Sequence, residues 1–211
     1  MYQKKVLKNK LRLIIVPMKG IKSVTVLVSV GAGSRYETTQ NNGISHFLEH
    51  MFFKGTKKRP TAFEIASTID SIGAEFNAHT GKESTGFYVK SAAQQLPLAL
   101  DVLTDIISNS LFDPQEIEKE RGVIIEEINM REDMPMAMVG EIFDELLYKA
   151  TPLGQRIIGK KENVRGMQRQ VFLDYLGRFY QPKNMVIAIA GDCSQVEKAE
   201  SVLRDGTNRS V

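Results

Sequence analysis

Two of the chain's three histidines, His46 and His50, stand four residues apart, and Glu49 lies between them. On a helix this spacing puts both imidazoles on one face, one turn apart, with Glu49 at the edge of that face. Two imidazoles so placed can reach one divalent metal. The carboxylate beside them is placed to take a proton from water activated there. The pair is still short of a complete centre, because a catalytic zinc site built from protein uses three ligands and keeps a fourth position open.

The stretch that begins Asp113-Pro114-Gln115-Glu116 offers candidates for the third ligand. It reads as a strong helix start, with Asp as cap, Pro at the first helical position and Glu at the third. Ile117, Ile124 and Ile128 form its apolar stripe, with Val123 and Ile125 alongside. Glu120 and Glu127 fall in the register of that stripe, two turns apart on one face. A carboxylate where the pattern asks for an apolar group is costly to bury unless a metal or a cation meets it. The competing arrangement pairs both glutamates with Lys119, Arg121 or Arg131 on an exposed face. His79, on an extended segment, is the rival third ligand, and spacing does not separate it from the glutamates. The order H-x-x-E-H is the inverse of the zinc-protease motif H-E-x-x-H.

Around these residues the pattern predicts alternating strands and helices. Residues 11–16 and 23–30 read as strands, the second with strict period-two alternation. The motif helix starts at Asn41-Asn42-Gly43 and runs to about Phe53. Thr61 caps the next helix, with Glu64 as capping-box partner and Phe63, Ile65, Ile69 and Ile72 as its apolar side. Residues 75–80 and 84–91 form a hairpin. A helix over 96–108 buries Leu96, Ala99, Leu100, Leu103, Ile106 and Ile107. The Asp113 helix reaches about Arg131. Pro135 breaks the pattern before a helix over 138–147. A helix over 168–179 precedes a central strand over 184–191, apolar on both faces. A last helix runs from Ser194 to Leu203. The expected fold is α+β: a mainly antiparallel β-sheet with helices packed against it, forming one domain over 1–205 with a tail over 206–211.

Composition narrows the function classes. The chain has 211 residues, 42% hydrophobic and 25% charged, and a net charge of +3, ordinary for a globular protein. That charge is too small to argue for nucleic acid, and no basic block is interleaved with aromatics. Lys57-Lys58-Arg59 reads as a solvated helix exit. Gly31-Ala32-Gly33-Ser34 lacks the strand-to-helix G-x-G-x-x-G pattern, which excludes a nucleotide reading. The single cysteine, Cys193, rules out an intrachain disulfide. No signal core and no membrane-length apolar run are present, and the expected location is cytoplasmic.

His46-Phe47-Leu48-Glu49-His50, followed by Glu120-Arg121-Gly122-Val123-Ile124-Ile125-Glu126-Glu127-Ile128, resembles the pitrilysin/insulinase family of zinc peptidases. It is most similar to the bacterial members that resemble the mitochondrial processing peptidase. The likeness runs from Leu11 to Gly191 and includes Gly33-Ser34-Arg35, Phe53-Lys54-Gly55-Thr56, Ile72-Gly73-Ala74, Phe76-Asn77-Ala78 and Pro152-Leu153-Gly154. The resemblance implies one Zn2+ held by His46, His50 and Glu127, with Glu49 as general base and Glu120 as a catalytic-site carboxylate behind the ligands. It implies an edge strand at Phe76-Asn77-Ala78 to which a peptide substrate adds as an extra strand. It further implies a partner: members of this type are similar to two such domains closing around the peptide, so this chain would act with a second homologous half, another chain or a second copy of itself. The alternative is a non-catalytic half that binds peptide or a partner subunit.

Overall fold

The computed structural model describes residues 1–149 and 151–197. Six strands form one sheet: β1 (Gln3–Val6), β2 (Arg12–Pro17), β3 (Ser23–Val30), β4 (Glu75–Thr80), β5 (Thr85–Ala92) and β6 (Met185–Gly191), in the order β1-β2-β6-β3-β5-β4. Every pairing is antiparallel except β2 with β6. The α+β expectation therefore holds. β6 is central, as its two-sided apolar pattern requires. Its parallel partner lies near the other end of the chain, so the sheet closes only when the whole intervening segment has folded.

The alternation of β3 reads directly into burial: Val24, Val26, Val28 and Val30 face the core, and the residues between them are half-buried. α3 (Leu96–Asn109) packs on that face, and α1 (Ile44–Met51), α2 (Ala62–Asp70), α4 (Pro114–Glu132) and α7 (Arg169–Phe179) bury their apolar sides in the same core. α1 is only eight residues long, yet Ile44, Phe47, Leu48 and Met51 are all fully buried. Phe47 meets Phe172 of α7 edge-on at 4.8 Å. Just past the helix, Phe52 meets Phe87 of β5 at 5.1 Å. The motif helix is thus wedged into the core on one side and keeps its histidine face free on the other.

Most local signals act as read. Thr61 and Glu64 form a reciprocal capping box, and Asp113 accepts the Gln115 and Glu116 amides at the start of α4. The six residues expected inside α3 are all buried. Four differences have physical causes. Phe63 is 79% exposed, because α2 docks only through Ile65 and Ile69. Pro135 does not break a helix but opens α5 (Pro135–Leu147), where its missing N–H costs nothing. Lys57-Lys58-Arg59 is a solvated exit only in part: Lys57 and Lys58 are exposed, but Arg59 is buried and pairs with Asp101 and Asp105 of α3 at 2.6 and 2.7 Å, and Lys58 reaches Asp101. β1 and α6 (Lys161–Gly166) carry no amphipathic signal and were not expected. The helix expected over 194–203 falls mostly outside the described residues, as does the 206–211 tail.

α5 is docked the unusual way round. Its charged side meets the domain through Glu141 to Arg131 and Arg156, Asp144 to Lys82, and Glu145 to Arg156. Met136, Val139, Phe143, Leu146 and Leu147 point to solvent.

Two outcomes follow from this packing. Phe47→Ala should destabilise the fold by about 3–5 kcal/mol in denaturant unfolding; a loss below about 1 kcal/mol would contradict the wedge. Burial alone would raise the Asp101 carboxyl, but hydrogen bonds from Lys58 and Arg59 outweigh it and hold the group below its ordinary value. A depressed folded pKa gives stability that is present above the unfolded value of about 3.9 and lost as pH falls through the folded one. Asp101→Asn should therefore flatten the pH dependence of unfolding below about pH 4; an unchanged slope there would count against the ion pair.

Candidate metal centre

Three donor atoms converge where α1 crosses α4. Glu127 Oε2 lies 3.6 Å from His46 Nε2 and 3.7 Å from His50 Nε2, and the three ligand atoms all lie within 4.8 Å of one another. Donors held about 2.0–2.1 Å from a common tetrahedral ion stand roughly 3.4 Å apart, so this set fits a zinc-sized cation with little adjustment. Among the described residues, this is the cluster of three His, Cys, Asp or Glu side chains with metal-site geometry. His79 is not in it. It borders the same cavity as the cluster, but its ring packs over Gly86 of β5, where an added Cβ would come within 2.3 Å of His79 Cε1.

The helix registers explain the convergence. Ile117, Glu120, Ile124 and Ile128 are the buried stripe of α4, and Glu127 borders it half-buried. Val123 turns outward, contrary to the sequence pattern, and Ile125 is half-buried. The two carboxylates are not on an exposed face. Glu120, 5% exposed, accepts from His50 Nδ1 at 2.8 Å and pairs with Lys54 Nζ at 2.5 Å. Arg121, a competing partner, instead turns to Glu118 and to the carbonyls of Val164 and Met167. Glu127 divides its oxygens: Oε1 faces Arg131 Nε at 3.5 Å, and Oε2 faces the histidines.

Each ring is prepared for the same task by a different cause. Burial drives the His46 pKa down to about 3, with the charges of His50 and Arg131 adding to it, so its imidazole is neutral. Its Nδ1 is buried without a hydrogen-bond partner, and Nε2 is the atom that faces Glu127. His50 is oriented instead by the Glu120 carboxylate on Nδ1, which leaves the Nε2 lone pair facing the cluster. Burial would raise Glu120, but the hydrogen bonds from His50 and Lys54 outweigh it and keep the carboxylate ionised. Glu49 is half-buried and raised by desolvation, opposed by a short hydrogen bond from the Thr80 hydroxyl.

Two cavities meet at these groups. One of about 700 Å³ is bordered by His46, Glu49, His50 and Glu127, and by α5. A second, of about 410 Å³, is bordered by Glu49 and His50 on one side and by Phe76, Asn77 and Ala78 on the other. β4, which carries those three residues, is one of the sheet's two outer strands. The Ala78 N–H is taken by the Asn77 side chain at 2.8 Å, so this donor faces away from β5. The sequence reading missed Lys54, Thr80 and Arg131 as site residues. Lys54 and Arg131 each lie four residues after a cluster member, His50 and Glu127, a spacing that could have pointed to them. Thr80 had no signal, because its partner comes from another element.

The family model described as Insulinase (Peptidase family M16) matches residues 13–161. A Bacillus subtilis protein named an uncharacterized zinc protease, YmxG, is 41% identical over 88% of this chain and 45% of its own length. The beta subunit of the bovine mitochondrial processing peptidase is 41% identical over 86% of this chain and 37% of its own. The crystal structure of a protease from Helicobacter pylori superposes with a TM-score of 0.92 at 25% identity, covering 98% of this chain and 50% of that one. The chain thus spans half or less of the length of these three proteins.

The His50–Glu120 contact makes a spectroscopic prediction that needs no metal. Imidazole 15N spectra of the neutral ring should show His50 protonated on Nδ1. Glu120→Ala should release it to the opposite tautomer. A wild-type His50 protonated on Nε2 would overturn the assignment.

Proposed function

The chain belongs to the insulinase family of peptidases, M16, and on that premise we propose that it is the catalytic half of a zinc-dependent endopeptidase acting on extended or unfolded peptides. The observation that carries this reading is the convergence of His46 Nε2, His50 Nε2 and Glu127 Oε2 in the larger cavity, beside Glu49, which borders both cavities. One Zn2+ per chain fits the three donors, and the relatives named zinc proteases support that choice of metal. When bound, zinc makes water acidic enough to ionise near neutral pH and polarises the scissile carbonyl.

The protein's own groups do the rest. His46, His50 and Glu127 hold the metal, and Glu120 keeps the His50 ring from turning, with Lys54 balancing its charge. Glu49 takes the proton of the attacking water and delivers it to the leaving amine nitrogen. Thr80 fixes the Glu49 carboxylate against β4, so the proton carrier and the substrate strand share one support. Peptide adds along the open edge at Phe76, Asn77 and Ala78, displacing the Asn77 side chain from the Ala78 N–H. Recognition through main-chain hydrogen bonds selects extended backbone more than side-chain identity.

A second reading concerns partner dependence. The matched relatives are about twice as long as this chain or longer, and the wall of the larger cavity formed by α5 carries an exposed apolar face. On this reading the chain holds the catalytic groups and requires a second homologous half, another subunit or a second copy to retain substrate. Among the described residues no helix is long and apolar enough to cross a membrane, and the proposed setting is the cytoplasm.

The test is cleavage of a quenched fluorescent peptide by the zinc-loaded chain. Glu49→Gln should lower turnover by at least about a hundredfold while zinc content stays at one per chain. Turnover equal to wild type in that variant would end the proposal.

A further inference from the structure

Helix α1 begins without a cap of its own. Its N-cap residue is Gly43, at φ +99°, and no side chain from that position reaches the first-turn amides. An eight-residue helix with free N–H groups at its start would fray, and His46 sits in that first turn. The missing acceptor comes from six residues upstream. The Glu37 carboxylate, 3% exposed, takes the Gly43 amide on Oε2 at 2.8 Å and the Ser45 amide on Oε1 at 2.9 Å. Its Oε2 also accepts from Asn42 Nδ2 at 2.8 Å. Burial pushes the Glu37 carboxyl up, and hydrogen bonds from the Ser45 side chain, the Gly43 and Ser45 amides and Asn42 oppose the shift.

The same amide of Asn42 donates to the Arg156 carbonyl at 2.8 Å. Arg156 belongs to the wall of the larger cavity. There the chain lies against the helix start so closely that a Cβ on Gly159 would stand 2.4 Å from the Asn42 carbonyl oxygen. Glu37 therefore joins the histidine-bearing helix to the loop after β3, and through Asn42 to the cavity wall.

We infer that Glu37 is a positioning residue for the metal centre: its two carboxylate oxygens fix the first turn of α1 against the cavity wall and so set the place of His46 relative to Glu127. This rests on the zinc-peptidase reading. Neither the motif nor the ligand set includes Glu37, which touches no ligand side chain. Both oxygens are needed. In Glu37→Gln one oxygen becomes an NH2 and must face a backbone N–H, donor against donor, at either Gly43 or Ser45.

The experiment measures Zn2+ affinity by chelator competition, the visible spectrum of the Co2+-loaded chain, and kcat and KM for a fluorogenic peptide. Glu37→Gln should weaken Zn2+ binding by about 10–100-fold, change the Co2+ spectrum, and lower kcat with KM within about twofold. Glu37→Asp, which keeps both oxygens on a shorter arm, should recover part of each loss. A merely structural role would lower the thermal midpoint of the metal-free chain and leave affinity and spectrum at wild-type values; that result overturns the inference. If Glu37→Gln does not fold, Asn42→Ala gives the decision. It keeps the helix cap but cuts the link to Arg156, and should move the Co2+ spectrum in the same direction; an unchanged spectrum overturns the inference. A wild type that binds zinc and cleaves peptide while both variants match it defeats this inference alone. A wild type that binds no zinc defeats the peptidase reading and this inference together.

Discussion

Two carboxylates lie at the apolar face of α4, and the site follows from what that placement demands. Removing an ionised carboxylate from water costs several kcal/mol unless positive charge or hydrogen-bond donors replace the solvent. Glu120 is met by His50 and Lys54 of the neighbouring segment. Glu127 is met by Arg131 on one oxygen and faces the two histidines with the other. The Glu127 oxygen that faces the cluster meets no full positive charge in His46, whose imidazole is neutral. The unfinished charge balance sits where three ligand atoms converge. The same constraint orders the packing, because α1 and α4 must cross in the one register that brings His50 to Glu120 while Ile117, Ile124 and Ile128 stay buried.

α1 meets two requirements within eight residues by dividing its faces. Ile44, Phe47, Leu48 and Met51 are fully buried, and His46, Glu49 and His50 line the cavity. A helix this short gains little from its own hydrogen bonds, and most of its stability comes from packing. Its ends are therefore held from outside. Glu37 holds the start, and the ion pairs of Arg59 with Asp101 and Asp105 hold the turn that follows. Rigid placement of the histidines is thus a property of the surrounding loops as much as of the motif.

This division explains what could be read from the sequence. Signals confined to one element were legible: the histidine spacing, the Thr61–Glu64 box, the Asp113 cap, the α3 stripe and the β4–β5 hairpin. The placement of Glu127 rather than His79 in the cluster needed either the family resemblance or the coordinates, because it depends on how two helices cross. Pairings between distant segments left no local trace. Glu37 looks like one more polar loop residue, and Arg59 looks like part of a solvated run, until their partners are known. β1 is exposed throughout and has no periodicity to detect. The usual inference that a helix's apolar side faces inward fails at α5, because its Glu141, Asp144 and Glu145 pair with Arg131, Arg156 and Lys82 from three other segments.

The sheet edge presents a related conflict. An open edge strand is a site for unwanted pairing, and proteins commonly blunt it with charge or cover it. Among the described residues β4 pairs with no strand on its outer side, and its exposed side chains Glu75, Asn77 and His79 are polar. The Asn77 amide oxygen on the Ala78 N–H is a partial defence, because it satisfies one outward donor without closing the edge. A local side-chain hydrogen bond of this kind contributes only about 0.5–1.5 kcal/mol net. An incoming backbone carbonyl replaces it at little cost, and a strand bound there gains several such bonds. On the proposed reading the edge is guarded against weak, single contacts and open to an extended peptide long enough to make many. That discrimination depends on backbone length, and it places the peptide along the cavity whose wall includes Glu49 and His50.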